Sequence, residues 1–337
     1  MNCQIIDFDV YIPNTNISCL ELSQNTGIPE EIIKEKYGIN SKITSTIIDN
    51  SEDLGVKAAE SLLNKTKTPP NEIDALIWVG SVNNEKMMYV TALSVAKKLN
   101  TCNAWAFDMN SMCSTMISAI EIAKTLIEAG KYKKILLVSG CKDSEYLNFK
   151  NQDTQFLINL STGGAAVLLA CTEKHTNNCF SILGSSFMSD CSLAGLCYAK
   201  KSQTHTSSYE LVVDDVEYFK KRLNEVSLTN FITVINNAIK ESKIKSDDID
   251  YVAMLHMKKS AHNKIMELIG INKEKCIYLD NYGHMQQNDQ FLSLKLALEN
   301  KKIKEDSKIL LVGAGLGFTW GATVIYWRKD NEYSIQW

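Results

Sequence analysis

The sequence predicts an α/β protein made from two copies of one unit, related by a pseudo-twofold axis. Three observations predict it. Strand-like and helix-like runs alternate along all 337 residues. Strand phrases recur: DIDYVAMLHM, from Asp248, matches EIDALIWVGS, from Glu72, and KEDSKILLVGAG, from Lys304, matches KYKKILLVSG, from Lys131. The apolar helix FLSLKLALENKKI likewise matches MISAIEIAKTLIEAGKY.

Taken in order, the run from Glu72 is a buried strand, and Trp105 to Asp108 form another. An apolar helix spans Ser114 to Ala129, with Gly130 placed as its stop, and the run from Lys131 is the next strand. The segment from Asp190 to Ser208 is polar and irregular and reads as an inserted loop. The copies divide at 171/172, giving an N-terminal half over 1–171 and a C-terminal half over 172–337 that ends in a short tail. No Pro/Gly/Ser-rich linker separates them, so one shared interface is expected.

Composition excludes several classes. A net charge of -3 and a pI near 6.0 give no reason to expect nucleic acid or an anionic membrane as partner. Lysine pairs such as Lys133-Lys134, Lys258-Lys259 and Lys301-Lys302 read as solvated surface, which leaves room for an acidic carrier protein as partner. The ten cysteines show no CxxC spacing, which removes the main support for zinc or thioredoxin-like chemistry. The N-terminus lacks the basic and apolar regions of a secretory signal, and no stretch reaches the roughly 20 apolar residues of a membrane helix. A reducing cytoplasm, no membrane insertion, no metal and no cofactor are therefore expected.

The repeat also locates a site. Cys113 lies 15 residues before Glu128, and His284 lies 15 residues before the matching Glu299. The two are expected at equivalent loop-to-helix junctions, brought together by the pseudo-twofold axis. Cys113 follows a strand and a tight turn and opens an apolar helix. Free amides and the helix dipole at such a position favour thiolate, the form that attacks a thioester. Packing is the plain alternative for Cys113, and for most of the other cysteines it is preferred.

The segment FDMNSMCSTMISAIEIA resembles the nucleophile segment of beta-ketoacyl-[acyl-carrier-protein] synthase III, in the thiolase superfamily. GAGLGFTWGATVIYW is similar to that family's closing glycine-rich segment, and the run from Tyr11-Ile12-Pro13 through ELSQNTGIPEEIIKEKYGI follows its pattern. The resemblance covers essentially the full chain. It implies a five-layered αβαβα thiolase fold, a homodimer, and a decarboxylative Claisen condensation or a related acyl transfer. It makes Cys113 the acyl carrier and His256, after YVAML, the first catalytic histidine. In DNYGHMQQND, His284 stands where the family has asparagine, so a Cys-His-His set is expected in a synthase III body. His175, His205 and His262 match nothing in the family.

The resemblance assigns the oxyanion hole to the backbone N–H groups of Cys113 and Leu316, with Gly315 and Gly317 letting the backbone approach substrate. The family's adenine-stacking tryptophan is Ile32 here and its nearby arginine is Lys36, which weakens coenzyme A recognition at that spot and favours a carrier-protein donor or another coenzyme A pose. Met88, beside Met87, aligns with the residue that crosses the dimer interface and closes the acyl tunnel. Thr115 replaces a family glycine. The substrates implied are an acyl thioester and a malonyl-type thioester, in a specialised fatty-acid or polyketide-like pathway. Three rivals are weighed. One is an acyltransferase on the same fold that passes the acyl group to an O, N or S nucleophile. Another is a non-catalytic partner subunit, which the intact Cys113, His256 and His284 disfavour. The last is a metal or redox protein, which cysteine spacing disfavours.

Overall fold

Strands that are apolar on both faces must be covered on both faces, and that requirement organises the molecule. A computed structural model describes residues 2–44, 50–81, 88–172, 179–202 and 209–328. Met87, His175, His205, part of the 190–208 segment and the tail beyond Arg328 lie outside the described residues.

The first half begins with β1 (Asn2–Tyr11), β2 (Thr15–Ser18), α1 (Cys19–Thr26), the short α2 (Glu30–Ile32) and β3 (Ser41–Thr44). It continues with α3 (Ser51–Thr66), β4 (Ala75–Trp78), α4 (Thr91–Lys98), β5 (Trp105–Asp108), α5 (Thr115–Glu128), β6 (Lys134–Cys141) and β7 (Gly163–Thr172). The second half opens with β8 (Phe180–Ser189), β9 (Cys197–Lys201), β10 (Tyr209–Val213) and α6 (Val216–Glu241). It closes with β11 (Tyr251–Met254), α7 (Lys259–Leu268), α8 (Asp289–Glu299), β12 (Lys308–Gly315) and β13 (Thr319–Trp327).

Among the described residues, nine strands join in the order β11-β12-β13-β8-β1-β7-β6-β4-β5. The order reads the same way outward from the β1–β8 seam, apart from β5, which has no counterpart. β4 and β6 are parallel, as are β11 and β12, and each pair is followed by an antiparallel return strand, β7 or β13. The seam is short, with only Gln4–Ser181 and Ile5–Phe180 in register. This is the duplicated architecture the repeat predicts.

Alternation along the strands sorts residues into layers. In β6, Ile135 and Leu137 join the central core with Ile117, Ile120 and Phe291 of α5 and α8. Leu136 and Val138 face the other way, onto Ala59 and Leu62 of α3. In β12, Leu310 and Val312 meet Val234 and Ile235 of α6. Five layers result: α3 and α4, a sheet half, the paired α5 and α8, the other sheet half, and α6 with α7. Gly130, at φ +71, ends α5 as expected.

The segment read as an inserted loop is partly ordered sheet. Residues Cys197–Lys201 form β9, which pairs antiparallel with β10. Its polar, alternating composition hid the strand, because only one face of this two-stranded sheet is covered. Leu211 is buried on Leu147, Leu157 and Leu160.

Candidate active site

Cys113 stands where the central helix of the first half begins, and several contacts build the turn that delivers it. The Asp108 carboxylate, at the end of β5, accepts from the Thr91 and Ala92 amides at 2.8 and 2.7 Å. Met112 then adopts φ +52, a left-handed conformation uncommon outside glycine. Thr115 secures it: its hydroxyl accepts from the Ser111 amide at 2.8 Å and donates to the Met112 carbonyl at 2.5 Å. A single 3₁₀ turn, Met112–Ser114, carries Cys113 into α5. The sulfur-bearing residue is 6% exposed.

The close of β12 backs directly onto this turn. A Cβ at Gly315 would lie 2.1 Å from the Ser111 carbonyl oxygen and 3.1 Å from the Cys113 nitrogen. Gly315 therefore serves the Cys113 turn by close packing. Leu316 does reach the cavity described below, together with Cys113. Gly317 has φ +135, a conformation that L side chains rarely adopt.

His284 comes from the second half. Its backbone N–H donates to the Asn159 carbonyl at 2.7 Å, and its own carbonyl accepts from Ser161 at 2.8 Å. Its ring Nδ1 donates to Asp289 Oδ2 at 2.5 Å. Burial alone would push the imidazole down. The Asp289 carboxylate and the hydrogen-bonded Cys113 sulfur reverse that, and its pKa is pushed up to about 10. Cys113 and His284 are thus hydrogen-bonded, with His284 held as a cation.

His256 is placed differently. Its Nδ1 accepts from the Asn159 side-chain amide at 3.0 Å, and its Nε2 donates to the Gly38 carbonyl at 3.1 Å. Both ring nitrogens are occupied. Burial holds its pKa down to about 4, so the ring is neutral. Its backbone N–H donates to Asp289 Oδ2 at 2.7 Å.

Two residues that sequence reasoning missed join these parts. Asp289, fully buried, accepts from His284, from the His256 backbone and, at 2.6 Å, from the Met285 amide. Asn159 holds the His256 ring with its side chain and the His284 backbone with its carbonyl. A signal for Asp289 was available: the polar run QQNDQ leads into an apolar helix, and buried polar residues need partners.

The expected equivalence of Cys113 and His284 shifts by three residues. α5 spans 14 residues and α8 spans 11, so counting back from the paired glutamates overshoots the shorter helix. Aligned at their starts, Met112 at φ +52 corresponds to Gln286 at φ +55, and Cys113 corresponds to Gln287. His284 reaches the sulfur from the loop before that turn.

A cavity of about 320 Å³ opens at Cys113. Leu316 lines one side, and Cys197, Tyr198 and Leu211 of the β9–β10 sheet line another. Ser81, Asp143, Gln286 and Gln287 give it polar walls. Among the described residues its walls are built without Ile32, Lys36, Met88 or either catalytic-candidate imidazole. Ile32 and Met88 are exposed at the surface, as is Lys36. Lys36 instead belongs with Lys220 and Lys258 to a cluster whose mutual repulsion, after burial, lowers the Lys258 pKa.

His262 is structural: its Nε2 lies 3.3 Å from the buried Cys276 sulfur. The ten cysteines are all free thiols. Among the described residues no helix is long and apolar enough to cross a membrane.

Comparison with known proteins finds relatives over nearly the whole chain. The family described as 3-oxoacyl-[acyl-carrier-protein (ACP)] synthase III matches residues 107–191, and the model of its C-terminal part matches residues 239–327. The chain is 26% identical over 333 residues to beta-ketoacyl-[acyl-carrier-protein] synthase III of Prochlorococcus marinus, covering 94% of each chain. It is 28% identical over 336 residues to the synthase III of Clostridium tetani, covering 96% of this chain and 98% of that one. The crystal structure of 3-oxoacyl-[acyl-carrier-protein] synthase III from Aquifex aeolicus superposes with a TM-score of 0.84 at 24% identity, covering 96% of this chain and 99% of that one. With its nucleophile segment and its closing strands both inside the matched regions, the chain belongs to the beta-ketoacyl-[acyl-carrier-protein] synthase III family of the thiolase superfamily.

Proposed function

We propose that this protein is a condensing enzyme that carries an acyl group on Cys113 and joins it to a malonyl-type thioester by decarboxylative Claisen condensation. The contact between Cys113 and a cationic, Asp289-anchored His284 carries this reading. The Cys113 thiolate attacks the donor thioester carbonyl, and the oxyanion is met by the backbone N–H groups of Cys113 and Leu316. Collapse breaks the donor C–S bond, and the His284 imidazolium supplies the proton to the departing thiol. The malonyl unit then loses CO₂, its electron pair passes to the enolate, and the enolate carbon attacks the acyl-Cys113 carbonyl. Cys113 leaves as thiolate.

The donor carrier is a phosphopantetheine thioester, on an acyl-carrier protein or on coenzyme A. The cluster of Lys36, Lys220 and Lys258 beside Tyr37 supports this, because it suits an anionic phosphate or an acidic carrier surface. A homodimer is part of the proposal. β5 is the outermost strand of the sheet among the described residues, with Trp105 50% exposed on it, Val90 exposed just before α4 and Leu93 exposed on α4, a surface suited to a second copy.

The acyltransferase reading is favoured by one observation: His256 already has both ring nitrogens bonded, which leaves a single imidazole at the sulfur, and one base suffices for simple transfer. Incubation with an acyl thioester and carboxyl-labelled malonyl thioester separates the two. Condensation predicts acyl-Cys113 by intact mass, labelled CO₂ and a β-keto product in equal amounts, all lost in Cys113→Ala. Acyl transfer without CO₂ release would reject condensation, and labelling that persisted in Cys113→Ala would remove Cys113 from its role.

A further inference from the structure

The cavity at Cys113 contains a feature that acyl carriage alone does not require. Asp143 projects a carboxyl group into it, from the turn that follows β6. The charged neighbour that acts on Asp143, Glu145, is itself acidic, and no cation pairs with Asp143 among the described residues. Burial raises its pKa. Ser81 and Gln286 are the hydrogen-bonding neighbours of the carboxyl group, which lower its pKa against burial. Yet Ser81 Oγ and Gln286 Nε2 are buried without a well-formed hydrogen bond among the described residues.

Gln286 is 3% exposed and is held at φ +55, so its placement is fixed by a backbone conformation that carries a cost. A hydrocarbon chain would add no partner to this carboxyl group and its two loosely bonded neighbours, and buried polar groups are ordinarily well paired. The volume, about 320 Å³, sits at the small end of ligand cavities and suits a short acyl group.

We infer that the acyl group received by Cys113 is short and carries a hydrogen-bond donor, a hydroxyl or an ammonium, that is bound by Asp143 with Ser81 and Gln286. This rests on the acyl-carrier reading above and adds the substrate class. The donor's N–H or O–H is accepted by the Asp143 carboxyl oxygen, while Gln286 Nε2 and Ser81 Oγ donate to the remaining oxygens. No bond beyond the Cys113 thioester forms.

The test uses butyryl, 3-hydroxybutyryl and 3-aminobutyryl pantetheine thioesters, with Cys113 acylation followed by intact mass. At least one polar acyl group should load at least tenfold faster than butyryl. The two polar arms tell a hydroxyl from an ammonium. In Asp143→Leu that ratio should fall at least tenfold while butyryl still loads, and Gln286→Leu should move it the same way. If Asp143→Leu fails to fold, Asp143→Asn is read instead, and there the 3-aminobutyryl advantage should vanish. Butyryl loading as fast as both polar groups, or ratios unchanged in the variants, overturns the inference and leaves Cys113 as acyl carrier. If no thioester loads the native protein, the acyl-carrier reading falls and this one with it.

Discussion

Asp289→Asn tests the electrostatic centre of the site with the smallest change in shape. The carboxylate accepts three hydrogen bonds, from the His284 ring, the His256 backbone and the Met285 backbone. Against the burial that opposes it, the Asp289 carboxylate and the hydrogen-bonded Cys113 sulfur lift the His284 pKa from 6.5 to about 10, a difference on the order of 5 kcal/mol between its two protonation states. The folded-state value lies above the unfolded one. The associated stability is therefore fully present below pH 6.5 and is lost as pH rises through about 10.

An amide at position 289 keeps one acceptor and loses the charge, so burial dominates. The His284 titration should fall by about 2 units or more, and unfolding free energy should drop by about 3–5 kcal/mol because a buried charge pair has lost one member. Acylation of Cys113 should slow by about 10²–10⁴-fold, since the imidazole no longer supplies its proton at neutral pH. Hydrogen–deuterium exchange at the imidazole Cε1, read by mass spectrometry, gives the titration of each histidine separately. A His284 that still titrated near 10, or acylation within threefold of the native rate, would refute the assignment of Asp289 as the group that holds this cation.

Three further outcomes follow from the same geometry. Gly315→Ala should cut Cys113 acylation by at least about tenfold, because the added methyl meets the Ser111 carbonyl at 2.1 Å; a native rate from the purified variant would mean the turn has room. Lys42, whose buried Nζ donates to the Ile158 and Leu160 carbonyls at 2.8 Å each, brackets Asn159, so Lys42→Met should cost about 2–4 kcal/mol in urea unfolding, and a loss under 1 would show the clamp to be idle. Burial depresses His256 and His262 from 6.5 to about 4, so the stability they carry is present above pH 6.5 and lost as pH falls toward 4, by about 3 kcal/mol each. Urea midpoints that stayed flat from pH 6.5 to 4 would contradict that.

The parts legible in the sequence are those encoded by local pattern. KILLV and its repeat marked β6 and β12, and the apolar run after Cys113 marked α5, because strands and helices covered on both sides leave continuous apolar sequence. Cys113 stood out by its place between strand and helix, and the resemblance to the synthase III nucleophile segment singled it out from the other cysteines. The groups that complete the site were not. Asn159 acts through hydrogen bonds to His256 and His284, far along the chain, and Asp289 joins its near neighbours His284 and Met285 to the distant His256 backbone, and no period or spacing records those links. The position of His284 relative to the sulfur depended on α8 being three residues shorter than α5, a length that pattern matching at the helix ends did not capture. The engagement of His256 by Gly38 belongs to the same class, since it joins a loop in the first fifth of the chain to a strand end in the last third.

The division of labour between the two halves also sets when the protein can first react during its own synthesis. The thiol is translated before the imidazole and the carboxylate that escort it, and β13, the strand between β8 and β12, emerges after all three. Pairings of such long sequence separation form slowly, after much of the chain has left the ribosome. A nascent polypeptide therefore carries Cys113 without its His284–Asp289 escort until the second half has folded against the first.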